Sequence, residues 1–310
     1  MIEASAPGKL ILTGEHSVVY GFPAIALPVR SMRVFVELYL QDQKSGLCSE
    51  QSTIDHRLSL ALEQVLPPYG FGVRFRSQIP IGAGMGSSGA LSIATLRALE
   101  QWDLAQNKPK WTRSKFLELA HKMESVFHGQ PSGLDHTVSY LESAIYFQKN
   151  KDSTLLNPIA TPQFSLVVMD TGLMGNTAVQ VAKVARNWPN NTALIQQIGQ
   201  ISEQIHNALK QNDLLQLGSL LNDNHSCLTQ LGVSTPQLDL LVETALNNGA
   251  LGAKLAGSGG GGVAFALVNK PSSSEQNSNV IDSKTEKIMS AIHDLGYKAF
   301  VVHIDAQTQP

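Results

Sequence analysis

The sequence predicts an α+β protein of two lobes, and three observations lead there. Short apolar runs separated by glycine and proline turns open the chain, as in a sheet. A glycine-serine loop in the middle feeds a helix with sustained 3.6-residue periodicity. The second half carries several helical segments together with fully apolar strands, so both element types occur in each half without regular alternation. At 310 residues the chain also exceeds the size, about 250 to 300 residues, at which single cores stop growing.

Taken in order, Leu10-Ile11-Leu12, the stretch Gly14 to Tyr20, the Gly21-Phe22-Pro23 turn and Val34 to Leu38 read as strand and turn. Helical spacing follows at Leu58 to Leu66, and a strand at Phe71 to Phe75 leads to the loop. Beyond it, Leu91, Ala94, Ala98, Leu99 and Trp102 form the stripe of an amphipathic helix. Phe116, Leu119, Ala120, Met123 and Phe127 make a second stripe, with Glu124 beside it, ended by Gly129 and Pro131. A strand at Ser143 to Gln148 precedes the polar stretch Lys149 to Thr154. That stretch marks the division into an N-terminal domain over 1–158 and a C-terminal domain over 159–310. The second half reads as a strand at Phe164 to Met169, helices at Thr177 to Asn187, Thr192 to Lys210, Leu214 to Thr229 and Thr235 to Asn247, and strands at Val263 to Val268 and Ala299 to Ile304. Pro271 to Asn279 has the composition of a flexible loop.

Composition excludes several function classes. Charged residues make up 15%, below the usual share of about 25%, and the net charge is −2. With no lysine-arginine stripe, a nucleic-acid partner is not expected. Met1 to Leu10 lacks the pattern of a secretory leader, and no apolar run approaches the roughly 18 residues of a membrane span. Cys48 and Cys227 form no Cys-x-x-Cys pair and are too few for a disulfide framework, which fits a reduced cytoplasm.

The segment Pro80-Ile81-Gly82-Ala83-Gly84-Met85-Gly86-Ser87-Ser88 is where a phosphate is expected. Its glycines permit close backbone approach, and the first amides of the following helix lack internal partners beside a positive dipole end. The serine hydroxyls add donors and can offer oxygen to a hard cation such as Mg²⁺. Gly84-x-Gly86-x-x-Gly89 formally matches the dinucleotide fingerprint, but Pro80 and the misplaced acids argue against it; no Gly-Lys-Ser/Thr makes it a Walker loop. A plain strand-to-helix turn remains an open reading of this loop alone.

Three further clusters bear on it. Ala6 to Gly21 places Lys9 at a strand start and Gly14-Glu15-His16 in a turn, a cation, a carboxylate and an imidazole within short reach. Glu124 and His128 are four apart on one helix face, and Asp135 follows a Pro-Ser-Gly turn; phosphoryl transfer to an alcohol needs one carboxylate for metal and another for the hydroxyl proton. Lys254 to Val263 holds five glycines in six positions flanked by apolar strand residues, which points to a close backbone approach. Singly, a solvated lysine, a capping carboxylate or a flexible connector explains each. The scattered histidines show no zinc-site spacing.

In this order, Pro-Gly-Lys, Pro-x-Gly-x-Gly-x-Gly-Ser-Ser and Lys-x-x-Gly-x-Gly-Gly-Gly-Gly resemble the three motifs of the GHMP kinase family. Ala6 to Gly21, Glu124 to Asp135, and Leu231-Gly-Val233 ahead of Leu238 to Leu241 are most similar to the branch acting on mevalonate. The resemblance implies an N-terminal lobe with a left-handed βαβ unit, like domain 2 of ribosomal protein S5, and a ferredoxin-like C-terminal lobe. It further implies ATP-dependent phosphorylation of the C5 hydroxyl of mevalonate, with Mg²⁺, in isoprenoid precursor synthesis. By position, Gly82, Ala83, Gly84, Met85, Gly86, Ser87 and Ser88 wrap the ATP phosphates, and Ser77 lies near the nucleotide. On the same resemblance, Ser88 and Glu124 would bind Mg²⁺, Asp135 would be the base or acceptor at the hydroxyl, and Lys9 would bridge hydroxyl and γ-phosphate. Glu15, His16 and Thr177 match positions lining the substrate pocket. Family analogy also suggests a homodimer. Two departures are small: Gly89 and Ser258 stand where alanine is usual. The alternatives are a GHMP kinase acting on phosphomevalonate, homoserine or a sugar, and a non-catalytic ligand-binding member of the fold.

Overall fold

A computed structural model describes residues 1–48, 51, 55–80, 82–129, 131–149, 154–268 and 282–308. The Pro271 to Asn279 segment and most of the polar stretch at 150–153 lie outside them. Two compact units are interleaved along the chain: Met1–Lys9, Pro28–Pro80 and Gly86–Glu142 form one, and Leu10–Leu27, Ile81–Met85 and Ser143–Pro310 the other.

The first unit holds most of strands β1 (Ile2–Thr13) and β2 (Ala24–Lys44), with β3 (Gly46–Leu47), helix α1 (His56–Glu63), β4 (Tyr69–Ser77) and helices α2 (Ser87–Ala105), α3 (Arg113–His128) and α4 (Leu134–Leu141). β2 pairs antiparallel with β4, which takes β3 parallel on its other edge. Val34, Val36 and Leu38 alternate inward along β2, as period-two patterning requires, with Leu38 opposite the equally buried Val73. α2 is buried almost all round from Gly89 to Leu96, wider than the expected stripe, because α3 and α4 both pack on it. Lys9 was expected at a strand start; it is instead the eighth residue of the twelve-residue β1.

In the second unit, Ala24 to Ala26 of β2 pair antiparallel with β5 (Ile145–Lys149), and β5 with β6 (Thr154–Pro158). The Gly14 to Tyr20 stretch is turn and one 3-10 helix (Ser17–Tyr20) rather than strand. A second sheet runs in the order β10 (Lys298–Ile304), β7 (Phe164–Asp170), β9 (Val263–Val268), β8 (Gly252–Leu255), all antiparallel. Of the helices α5 (Thr177–Arg186), α6 (Thr192–Gln211), α7 (Leu214–Gln230), α8 (Pro236–Asn247) and α9 (Ser283–Asp294), α7 and α8 pack on β8, and α9 on β7 and β10. All six residues of β9 are buried, which is why that strand reads as an unbroken apolar run. The class is α+β, as expected.

Candidate active site

Within the first unit, the side chains gather at the N-terminus of α2. Gly86 caps that helix at φ +73° without any side-chain cap, so the Ser87 and Ser88 amides at its first turn have no intrahelical partner. Such a terminus attracts anions. A Cβ at Gly86 would stand 2.7 Å from Cγ of Lys9, so the lysine stem runs directly across this turn. Lys9 is 4% exposed, and its Nζ lies 3.4 Å from Oδ1 of Asp135. We expect Gly86→Ala to lose at least tenfold in kcat, since about 1–3 kcal/mol of backbone strain adds to displacement of Lys9. A stopped assay on folded variant checks it, and full activity with an unchanged melting temperature refutes it.

Asp135 is aimed by a short helix, α4, where the sequence pattern predicts none. Gly133 in the left-handed region starts α4, placing Asp135 in its first turn. α4 approaches α2 closely at Gly89, where a Cβ would come within 3.1 Å of the Asp135 carbonyl carbon and the His136 amide nitrogen. The glycine at this unusual position therefore fits the tight approach.

Glu124 lies inside the buried face of α3 rather than beside it, fully screened from solvent. Ser92 Oγ donates to its Oε1 at 3.3 Å and Ser88 Oγ to its Oε2 at 3.4 Å. Burial, and next the Asp135 charge, push its pKa up to about 8. His128 brings Nε2 to 3.1 Å from Ser88 Oγ and 3.8 Å from Glu124 Oε2, and burial pushes its pKa down. Glu124, His128 and Asp135 each offer a ligand atom, all within 4.8 Å of one another. A buried carboxylate strained by a second carboxylate, with a serine oxygen alongside, fits a hard divalent cation. Ser92 and His128 had been given no role. The i, i+4 spacing of His128 from Glu124 was the available signal; nothing in the sequence marked Ser92.

In the second unit, the Gly82 to Met85 backbone meets two loops. Met174 fills the space where a Gly82 side chain would go, and a Cβ on Gly262 would stand 3.1 Å from the Ala83 carbonyl oxygen. Around the third motif, the Gly260 amide donates to the Val233 carbonyl at 2.8 Å and the Gly262 amide to Leu173 at 2.7 Å. This glycine run is close-packed against other backbone, as its apolar flanks suggested. Glu15 pairs with Lys254, at 2.5 Å, while the acid beside Lys9 is Asp135; the sequence had grouped Glu15 with Lys9. Nε2 of His16 donates to the Ser258 carbonyl at 2.9 Å, and burial lowers the His16 pKa. Ser258 Oγ donates to Thr177 Oγ1 at 3.1 Å, so the hydroxyl at this departure from the usual alanine is used. Ser77, in the first unit, closes a local turn with the Ile79 amide and carbonyl, both at 3.1 Å.

Residues 55–143 match the GHMP kinases N-terminal domain, and residues 205–296 the GHMP kinases C-terminal domain. A mevalonate kinase of Thermococcus sibiricus is 34% identical over 302 residues, covering 85% of this chain and 88% of that protein. One from Pyrococcus abyssi is 34% identical over 306 residues, covering 86% and 88%. The solved L. major mevalonate kinase in complex with R-mevalonate superposes with a TM-score of 0.82 at 26% identity, covering 98% of this chain and 97% of that one. The chain thus belongs to the GHMP kinase family, and these relatives, which match it over most of its length, are mevalonate kinases.

Proposed function

We propose that this chain transfers the γ-phosphoryl group of ATP to the C5 hydroxyl of mevalonate, giving 5-phosphomevalonate for isoprenoid synthesis. The observation that carries the reading is Lys9, laid against the Gly86 turn with its ammonium 3.4 Å from Asp135. One cation beside both a phosphate-binding helix terminus and a carboxylate is what transfer to an alcohol requires.

The loop amides and the serine hydroxyls at the start of α2 bind the ATP phosphates. Lys9 holds the acceptor hydroxyl and the γ-phosphate together, and Asp135 takes the hydroxyl hydrogen bond and its proton. A loose phosphoryl transition state needs little covalent help, so alignment and charge supply most of the acceleration. Ser88 and Glu124 would hold Mg²⁺, with His128 and Asp135 close by. When bound, the ion neutralises phosphate charge. Glu15, His16 and Thr177 bind the rest of the acceptor.

An assay of ADP release tests this against mevalonate, phosphomevalonate, homoserine and galactose. The expected result is Mg²⁺-dependent turnover with mevalonate preferred. Preference for another alcohol moves the chain elsewhere in its family, and binding without turnover of any makes it non-catalytic. Among the described residues no helix is long and apolar enough to cross a membrane.

A further inference from the structure

The third glycine-rich motif opens on a lysine, Lys254. Lys254, in β8, is completely buried. Its ammonium donates to Oε1 of Glu15 at 2.5 Å and to the Leu255 carbonyl at 2.6 Å, and lies 5.2 Å from the centre of the Phe265 ring. Glu15 is buried too, and among the described residues its other oxygen, Oε2, has no hydrogen-bond partner. Removing two charges from water costs much of what their attraction returns, and an unsatisfied buried oxygen adds to that cost. Such a pair is poor stabilising design.

Its effect is geometric. Lys254 ties the Gly14-Glu15-His16 turn to the strand entering the glycine-rich loop. The next residue, His16, adopts φ +63°, a conformation that non-glycine residues take rarely and only where surroundings enforce it. Its ring is fixed to the Ser258 carbonyl of the same loop, and Ser258 Oγ reaches Thr177. On the other side, His225 Nδ1 accepts the Leu255 amide at 3.3 Å while its Nε2 lies 3.3 Å from Asp239, anchoring the backbone beside Lys254.

We propose that Lys254 is a positioning residue for the phosphoryl acceptor: by gripping one oxygen of Glu15 it fixes the turn that carries Glu15 and His16. The inference rests on the reading of mevalonate as that acceptor.

Steady-state kinetics of Lys254→Met, Lys254→Arg, Glu15→Gln and the Glu15→Gln/Lys254→Met double variant, with melting curves, test it. Lys254→Met should raise KM for mevalonate about 10- to 100-fold while KM for ATP moves by less than about threefold. Lys254→Arg should recover part of the loss. Because Lys254 acts through Glu15, adding Lys254→Met to Glu15→Gln should change KM for mevalonate by less than about twofold. This comparison survives if Lys254→Met alone fails to fold, since the double variant buries neither charge. A wild-type KM in folded Lys254→Met, equal shifts in both KM values, additive losses, or failure of every variant to fold each overturn the proposal. If the wild type instead prefers another alcohol, the acceptor reading has failed, and the same KM split is measured on that alcohol.

Discussion

Asp135→Asn is expected to lower kcat by about 10²- to 10⁴-fold, the range for loss of a positioned proton acceptor, with a smaller change in KM for ATP. Asparagine keeps the shape and one acceptor oxygen, so a hydroxyl still finds a hydrogen bond there. It loses the charge. Lys9, almost wholly buried 3.4 Å away, then faces no carboxylate on that side and holds both hydroxyl and γ-phosphate less firmly. If alignment alone were Asp135's task, asparagine would retain most of the rate. A kcat within a few-fold of wild type, on protein with an unchanged melting curve, refutes an essential carboxylate at this position.

How much of this was legible in the sequence depended on the range over which each feature is determined. The long helices α2, α3 and α6 through α8 and the apolar strands β7 and β9 were readable because local periodicity and unbroken apolar runs encode them. Two short elements were not. Eight residues of α4 carry too little pattern, and the four of β8 are masked by the glycines that follow. The β6 strand sits where polar composition suggested a boundary. Motif spacing brought Glu124 and His128 to one helix face correctly, since i and i+4 geometry is local. The pairing of Glu15 with Lys254 spans the length of the chain, and no local rule links a turn at residue 15 to a strand at 254. Proximity in sequence favoured Lys9 instead, and folding overruled it.

Glu124→Gln is expected to separate stability from function at the same side chain. With no metal bound, burial and then the Asp135 charge push the pKa of this carboxyl from near 4.5 up to about 8. Between those values the native state binds a proton that the unfolded chain has released, so stability falls as pH rises from about 4.5 to about 8 and stays lost above it. At about 1.4 kcal/mol per pKa unit, the ionised carboxylate costs up to about 5 kcal/mol, an upper figure for one buried group. Glutamine never ionises. Melted in EDTA, the variant should therefore show a flatter dependence from pH 5 to 9 and a higher melting temperature than wild type at pH 9. Its phosphoryl transfer should nevertheless fall by about 10²-fold or more and require more Mg²⁺, since a charged ligand has been removed from beside Ser88. A variant that loses stability at pH 9 would show that the carboxylate is held charged by groups other than a metal, and unchanged Mg²⁺ dependence would remove it from the metal site. Among the described residues, two serine hydroxyls donate to this fully buried acid, with His128 3.8 Å away and a second acid nearby. A cation bound there would offset the cost of ionising the glutamate, a compensation that glutamine could not supply.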